Sequence, residues 1–273
     1  VNYRHAYHAG NFADCMKHAV LVWILRKLML KEKPFSVLDT HAGTGFYDLA
    51  SDEANRTGEW QGGIGRLLED APPALAEYVG VVRSLGLYPG SPAIARALMR
   101  PGDRLVCCEL HPEDFRLLRR RFGRDDAVSV HCRDGHAALG ALLPPAERRG
   151  LVLIDPPYEA ADEFERVVAG LVTAHRRFAG GVLMAWYPIK GRAPARAFHA
   201  ALQGCGIKDA VAAEIFLREP VDAARLNGCG VVVVNPPFRF EDEVGVVLDA
   251  LVGRLGAGEP GQGHALLRIA PET

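Results

Sequence analysis

No apolar run long enough to cross a bilayer interrupts this chain. The longest in its N-terminal third is Ala19–Leu25, far short of the roughly 20 residues a spanning helix needs. The first residues carry charges and histidines where a signal peptide needs an apolar core, so none is expected. A cytoplasmic protein without a membrane partner is the reading. Cysteine is sparse, at positions 15, 107, 108, 132, 205 and 229, and forms no C-x-x-C pair. That argues against a zinc site or a disulfide framework and for buried free thiols. The histidines near the start (His5, His8 and His18, beside Asp14) repeat no ligand spacing, so no metal is expected. The formal net charge of −1 provides no global basic field to attract nucleic acid. No internal repeat or low-complexity tract stands out, and nothing resembles a zipper, so a monomer without an obligate protein partner is expected.

What is present is an ordinary globular composition, 49% apolar and 24% charged over 273 residues. Basic residues cluster locally. Residues 1–33 hold six Lys/Arg against two acids, and residues 174–210 six against one. Seven segments read as strands from continuous apolar or β-branched content bounded by turn signals: Phe35–Asp39, Arg104–Leu110, Ala127–Cys132, Gly150–Asp155, Gly181–Tyr187, Ala210–Leu217 and Cys229–Asn235. Helix-period stretches such as Pro112–Phe122, Asp162–Arg177 and Ala193–Gly204 lie between them. This alternation predicts an α/β fold, with a doubly wound and mostly parallel seven-stranded sheet. The long gap between the first two strands predicts an inserted helical subdomain over about 48–103, within a single domain spanning 1–273. It contains a helix over Pro72–Leu85 and another opened by Ser91 as N-cap and Pro92 in its first turn. Asn11 is expected to cap a helix running through Lys31.

The residues that carry chemistry stand at the ends of these strands. Asp39-Thr40-His41-Ala42-Gly43-Thr44-Gly45 places an acid and a glycine-containing turn after the first strand, as in nucleotide-binding folds. His41 stands where a pyrophosphate-binding turn has glycine, which suits a ligand without phosphates. Glu109 ends the second strand, where a carboxylate can accept both hydroxyls of a ribose. Asp134-Gly135 follow the third, where an acid can meet an adenine amino group. Each acid alone reads equally well as a helix cap or a loop charge; three in succession point to an adenosyl ligand. The fourth strand ends in Asp155-Pro156-Pro157-Tyr158. An exocyclic amine is a poor nucleophile, because its lone pair is delocalised into the ring. Asp155 and the Pro156 carbonyl can accept its two N–H groups, the prolines stiffen that backbone, and Tyr158 offers a face for the base. Asn235-Pro236-Pro237-Phe238, after the last strand, fits the same pattern. Strand order assigns the chemistry to Asp155, because the last strand is expected farther from the nucleotide-binding turn.

Joined with Tyr3-Arg4-His5, His8-Ala9-Gly10-Asn11, Lys17-His18, Tyr88-Pro89-Gly90-Ser91-Pro92 and Glu109-Leu110-His111-Pro112, these motifs resemble the RlmJ family over essentially the whole chain. That family comprises bacterial 23S ribosomal RNA (adenine(2030)-N6)-methyltransferases. Phe238 departs from it, standing where tryptophan is familiar. The resemblance implies a Rossmann-like class I methyltransferase fold with a helical insertion, S-adenosyl-L-methionine as methyl donor and 23S ribosomal RNA as substrate. It further implies that Asp155 is the catalytic acceptor. His18, His41, Ser91, Glu109, Asp134 and Gly135 would contact the cofactor, and Tyr3 would meet the target adenine. Two other readings stay open on the residues alone. One is a DNA adenine-N6 or cytosine-N4 methyltransferase; the other is an RNA-binding module with a vestigial cofactor pocket.

Overall fold

The computed structural model describes residues 4–272. Ten strands appear in chain order: β1 (Ser36–Asp39), β2 (Phe46–Tyr47), β3 (Tyr88–Pro89), β4 (Arg104–Cys108), β5 (Val128–His131), β6 (Gly150–Ile154), β7 (Val182–Ile189), β8 (Ala210–Phe216), β9 (Gly228–Val234) and β10 (Gly263–Ala270). β2 and β3 form a separate small pair, and the other eight make one sheet in the order β10-β8-β9-β7-β6-β1-β4-β5. Pairing is parallel from β5 through β7. β9 runs antiparallel between β7 and β8, and β10 antiparallel at the edge. All seven strands expected from sequence are in this sheet. The eighth, β10, escaped notice because it is an edge strand whose burial follows no clean alternation. The chain leaves β1 for β4 and β5 on one side and returns to β6 on the other. That reversal opens a crevice at the carboxyl ends of β1 and β6.

Helices cover both faces. They are α1 (Phe12–Met29), α2 (Asp52–Thr57), α3 (Arg66–Glu69), α4 (Ala76–Leu85), α5 (Ser91–Leu98), α6 (Pro112–Phe122), α7 (Gly135–Leu142), α8 (Glu163–Arg177), α9 (Arg192–Gly204) and α10 (Phe240–Leu255). One apolar cluster joins α1, α5 and α10 to one face of the sheet, and a second joins α7, α8 and α9 to the other. Continuous apolar strands such as β6 and β9, buried at every position, are what double coverage requires. α1 is buried nearly all round, because α4, α5, α10 and β9 surround it. Asn11 caps it as expected, its Oδ1 accepting from the N–H groups of Ala13 and Asp14, both at 3.0 Å.

Ser91 is not the cap that its place before Pro92 suggested. Gly90 is the N-cap of α5, and Ser91 is already helical. Its hydroxyl is drawn away by a buried carboxylate, donating to Asp39 Oδ2 at 2.6 Å.

The Asn-Pro-Pro-Phe segment lies at the wrong edge of the sheet for chemistry at the crevice. β9 is antiparallel to β7, with Val234 opposite Leu183, so its end meets the beginning of β7. Asn235 sits at φ 51°, a left-handed conformation that asparagine tolerates better than most residues. Its Nδ2 donates to the carbonyls of Ala179 (2.8 Å) and Gly181 (2.7 Å). Phe238 is exposed at this far edge. Asn235→Ala is therefore expected to lower stability by about 1–3 kcal/mol through two lost hydrogen bonds and a strained backbone. Turnover should be unchanged, which denaturant melts beside a transfer assay will check; a large loss of turnover at intact stability would contradict the assignment.

Candidate active site

The crevice is a cleft of about 1040 Å³, and residues named from sequence converge on it: His18, His41, Ser91, Glu109, Asp134, Gly135, Asp155 and Tyr158. Tyr3 lies outside the described residues. Asp39 does not line the cleft. It is 1% exposed and lies beneath the floor, where Oδ1 accepts the His41 N–H at 3.3 Å and Oδ2 the Ser91 hydroxyl. Burial pushes its carboxyl up to about 7, with the Ser91 hydrogen bond opposing and the nearby Asp155 charge adding to the rise. This strand-tip acid thus sets the positions of Ser91 and the turn behind the wall.

The part of the cleft around Glu109 and Asp134 is built from loop backbone and fixed side chains. Glu109 Oε2 accepts Gly43 N–H at 2.8 Å and Oε1 accepts His111 N–H at 2.7 Å. Both oxygens are thereby oriented, with lone pairs left for a ligand's hydroxyls. Burial raises this carboxyl's pKa, while the two backbone donors restrain it. Gly43 has φ +59°, and a Cβ there would lie 2.2 Å from the Tyr47 hydroxyl. Asp134 caps α7, with Oδ1 accepting Ala137 N–H at 2.8 Å, and still faces the cleft. At Gly135 a Cβ would meet the Thr40 carbonyl at 2.3 Å and the His41 ring at 2.7 Å, so only glycine permits this approach of α7 to the β1 turn.

Two histidines in the wall are neutral. Burial lowers His41 to about 3, helped by neighbouring His136, and lowers His18 to about 3, although Asp14 opposes it. Thr40 Oγ1 donates its hydrogen to the Leu153 carbonyl at 2.9 Å. His41 Nδ1, 2.8 Å from the same oxygen, must therefore be the donor between them, leaving Nε2 as an acceptor. His18 Nδ1 pairs with the Tyr88 hydroxyl at 3.0 Å, which in turn contacts the Tyr78 hydroxyl.

β6 delivers Asp155 to the middle of the cleft, where Pro156 and Pro157 end the strand. The carboxylate has a partner that the sequence reading overlooked: Lys17 Nζ donates to Asp155 Oδ2 at 2.6 Å and also pairs with Asp14 Oδ1 at 2.9 Å. Asp14 Oδ2 accepts His5 Nε2 and Gly10 N–H, both at 2.9 Å. Burial alone would neutralise Lys17, but the two carboxylates outweigh it and hold the ammonium well above its ordinary value. Burial likewise works against the Asp14 carboxylate, yet His5 and Lys17 bring it well below the usual range. A signal existed: Asp14, Lys17 and His18 fall at i, i+3 and i+4 on a helix otherwise apolar as far as Leu25. Beyond Asp155, Tyr158 takes φ 52° and donates its hydroxyl to the Trp186 carbonyl at 2.8 Å. Its ring meets Trp186 and Phe164 edge-on.

The basic clusters divide between the two edges of the sheet. From residues 1–33, Arg4 and Lys17 lie near the cleft. Arg26 and Lys27 are at the far end of α1, paired with Glu77 and Glu243. From residues 174–210, Lys190 lines the cleft and Arg192 opens α9 next to it, whereas Arg176, Arg177 and Lys208 belong to the opposite edge. Chain proximity did not reveal this division, because one helix or strand carries its two ends to opposite faces of the molecule.

Comparison with known proteins agrees with this arrangement. The family model described as "Ribosomal RNA large subunit methyltransferase D, RlmJ" matches residues 32–268. Ribosomal RNA large subunit methyltransferase J of Escherichia coli K12 is 42% identical over an alignment of 281 positions, covering 100% of both chains. The protein of that name from Haemophilus influenzae is 42% identical over 264, covering 93% of this chain and 94% of its own. A crystal structure of a Legionella pneumophila protein superposes with a TM-score of 0.86 at 34% identity, covering 96% of this chain and 98% of that one. With strand-end acids, the Asp-Pro-Pro-Tyr segment and full-length similarity in agreement, the chain belongs to the RlmJ family of ribosomal RNA large subunit methyltransferases.

Proposed function

We propose that the protein transfers a methyl group from S-adenosyl-L-methionine to N6 of one adenine in 23S ribosomal RNA, the nucleotide of the position-2030 type. The observation that carries this reading is that Asp155-Pro156-Pro157-Tyr158 opens onto the same cleft as Glu109, Asp134 and Ser91. The donor set suits the cofactor. Glu109 offers oriented oxygens to a ribose, Asp134 an acceptor to an adenine amino group, and Ser91 and His18 polar contacts at the other end. When bound, the cofactor supplies a methyl group already activated by its sulfonium, so positioning and electrostatics are the protein's share.

An adenine in a helix must leave its stack before N6 can reach Asp155. Lys17 occupies Asp155 Oδ2, which leaves Oδ1 for one N–H of the amine, and the Pro156 carbonyl is available to the other. The ammonium pairs with the Asp155 carboxylate, an acceptor able to draw off the proton that the amine sheds as its new C–N bond forms. Tyr158 and Trp186 bound the space for the base. Tyr3 is included as an adenine contact on the family resemblance. The test is to incubate the enzyme with labelled cofactor and either a 23S RNA fragment or duplex DNA of matching sequence. Label is expected in RNA as N6-methyladenine; label confined to DNA would reject the substrate.

A further inference from the structure

Side chains along β7 alternate between core and cleft. Tyr187 and Ile189 are buried, whereas Trp186, Pro188 and the following Lys190 all line the cleft, the two-residue period of an extended chain. An aromatic ring, a proline and a cation thus stand in a row leading outward from Asp155. Lys190 is exposed, and among the described residues its ammonium has no ion-pair partner. The arginines around it do: Arg218 and Arg225 pair with Glu259 at 2.9 and 3.8 Å, and Arg192 lies 3.8 Å from Glu219.

The backbone beneath Lys190 is fixed. Asn227, fully buried, donates its N–H to the Ile189 carbonyl at 3.0 Å. Its side-chain amide donates to the carbonyls of Lys190 and Asp222, both at 2.7 Å. These bonds staple the end of β7 to the loop between β8 and β9, so Lys190 stays in register with Trp186 and Pro188. An uncompensated cation held at one place on a cleft rim is suited to an anion that arrives with the substrate. At strand spacing, Lys190 follows Pro188 by about 7 Å, comparable with the distance from a base to its own backbone.

We propose that Lys190 grips a backbone phosphate at the target nucleotide, while the extruded base rests against Trp186 and Pro188. The proposal builds on the RNA substrate reading above and adds the phosphate contact and the residue that makes it. The test measures methylation of an RNA hairpin by Lys190→Gln, Lys190→Arg and, as a control at the opposite edge, Lys208→Gln, each over a range of salt. Lys190→Gln is expected to raise KM for RNA roughly five- to tenfold and to reduce the slope of log KM against log salt by about one. Its kcat and its cofactor affinity by calorimetry should be unchanged. Lys190→Arg should restore most of the affinity, and Lys208→Gln should match the unsubstituted enzyme. An unchanged KM and salt slope in Lys190→Gln would overturn the contact, as would a fall in kcat at constant KM. An unsubstituted enzyme that leaves RNA unlabelled would instead reject the substrate reading itself.

Discussion

Asp155→Ala is expected to reduce methyl transfer by roughly 10³-fold or more, the size of effect seen when a positioned proton acceptor is removed. Cofactor affinity should stay within a few-fold, because the residues proposed to hold the cofactor, Ser91, Glu109, Asp134 and Gly135, keep their places without Asp155. Nor should the fold collapse, since Lys17 keeps Asp14 at 2.9 Å as a counter-ion. Asp155→Asn makes the informative comparison. It preserves an acceptor oxygen for the amine but removes the negative charge that takes the proton and balances Lys17. It should fall between the alanine variant and the unsubstituted enzyme. Single-turnover kinetics with labelled cofactor, beside calorimetry, read both quantities. Near-normal turnover in Asp155→Ala would end the proposed chemistry, whatever the substrate.

The second large effect is expected at Lys17. Lys17→Met places an apolar chain of similar length between two buried carboxylates, leaving Asp155 without its cation and Asp14 with His5 alone. Breaking a buried pair from one side costs about 3–5 kcal/mol. For a chain of this size that corresponds to a fall in Tm on the order of 10 °C. Turnover should also drop, because Asp155 loses the partner that orients it.

The pH dependence distinguishes this from a simple packing defect. Asp14 has its folded pKa depressed, so its stabilisation is present above the ordinary carboxylate value and is lost as pH falls through the lower folded value. Lys17 has its folded pKa raised, so its contribution is complete below the ordinary lysine value and is lost as pH rises through the folded one. The unsubstituted protein should therefore hold a plateau across neutral pH. In Lys17→Met the acid-side loss should begin at higher pH, as Asp14 regains its proton sooner. Melting curves from about pH 2 to pH 9 test this, and an unshifted acid limb would show that Lys17 does not hold Asp14 ionised.

How far the chain could be read without coordinates varied by element. Strands buried on both faces, such as Leu151–Ile154 and Val231–Val234, announce themselves because double coverage leaves no polar position. Helices α6, α8 and α9 were legible from their period and flanking signals. The edge strand Gly263–Ala270 was not, since a partly exposed edge obeys weaker rules. Ser91 before Pro92 gave a false cap, because local preference yields to a buried carboxylate 52 residues away. His41, Glu109, Asp134-Gly135 and Asp155 were legible as candidates since strand ends are where such folds bind ligands.

The sequence by itself determined the class of fold, the strand-end acids and the residue types suited to a planar amine, all of which depend on local pattern and chain order. The tertiary structure decided the rest. It turned Asn235 to the far edge by running β9 antiparallel, and set Asp39 beneath the floor behind Ser91. It also brought Lys17 across 138 residues to Asp155. Those outcomes depend on strand direction and on which side chains share a dehydrated space, and both arise only when distant segments pack together.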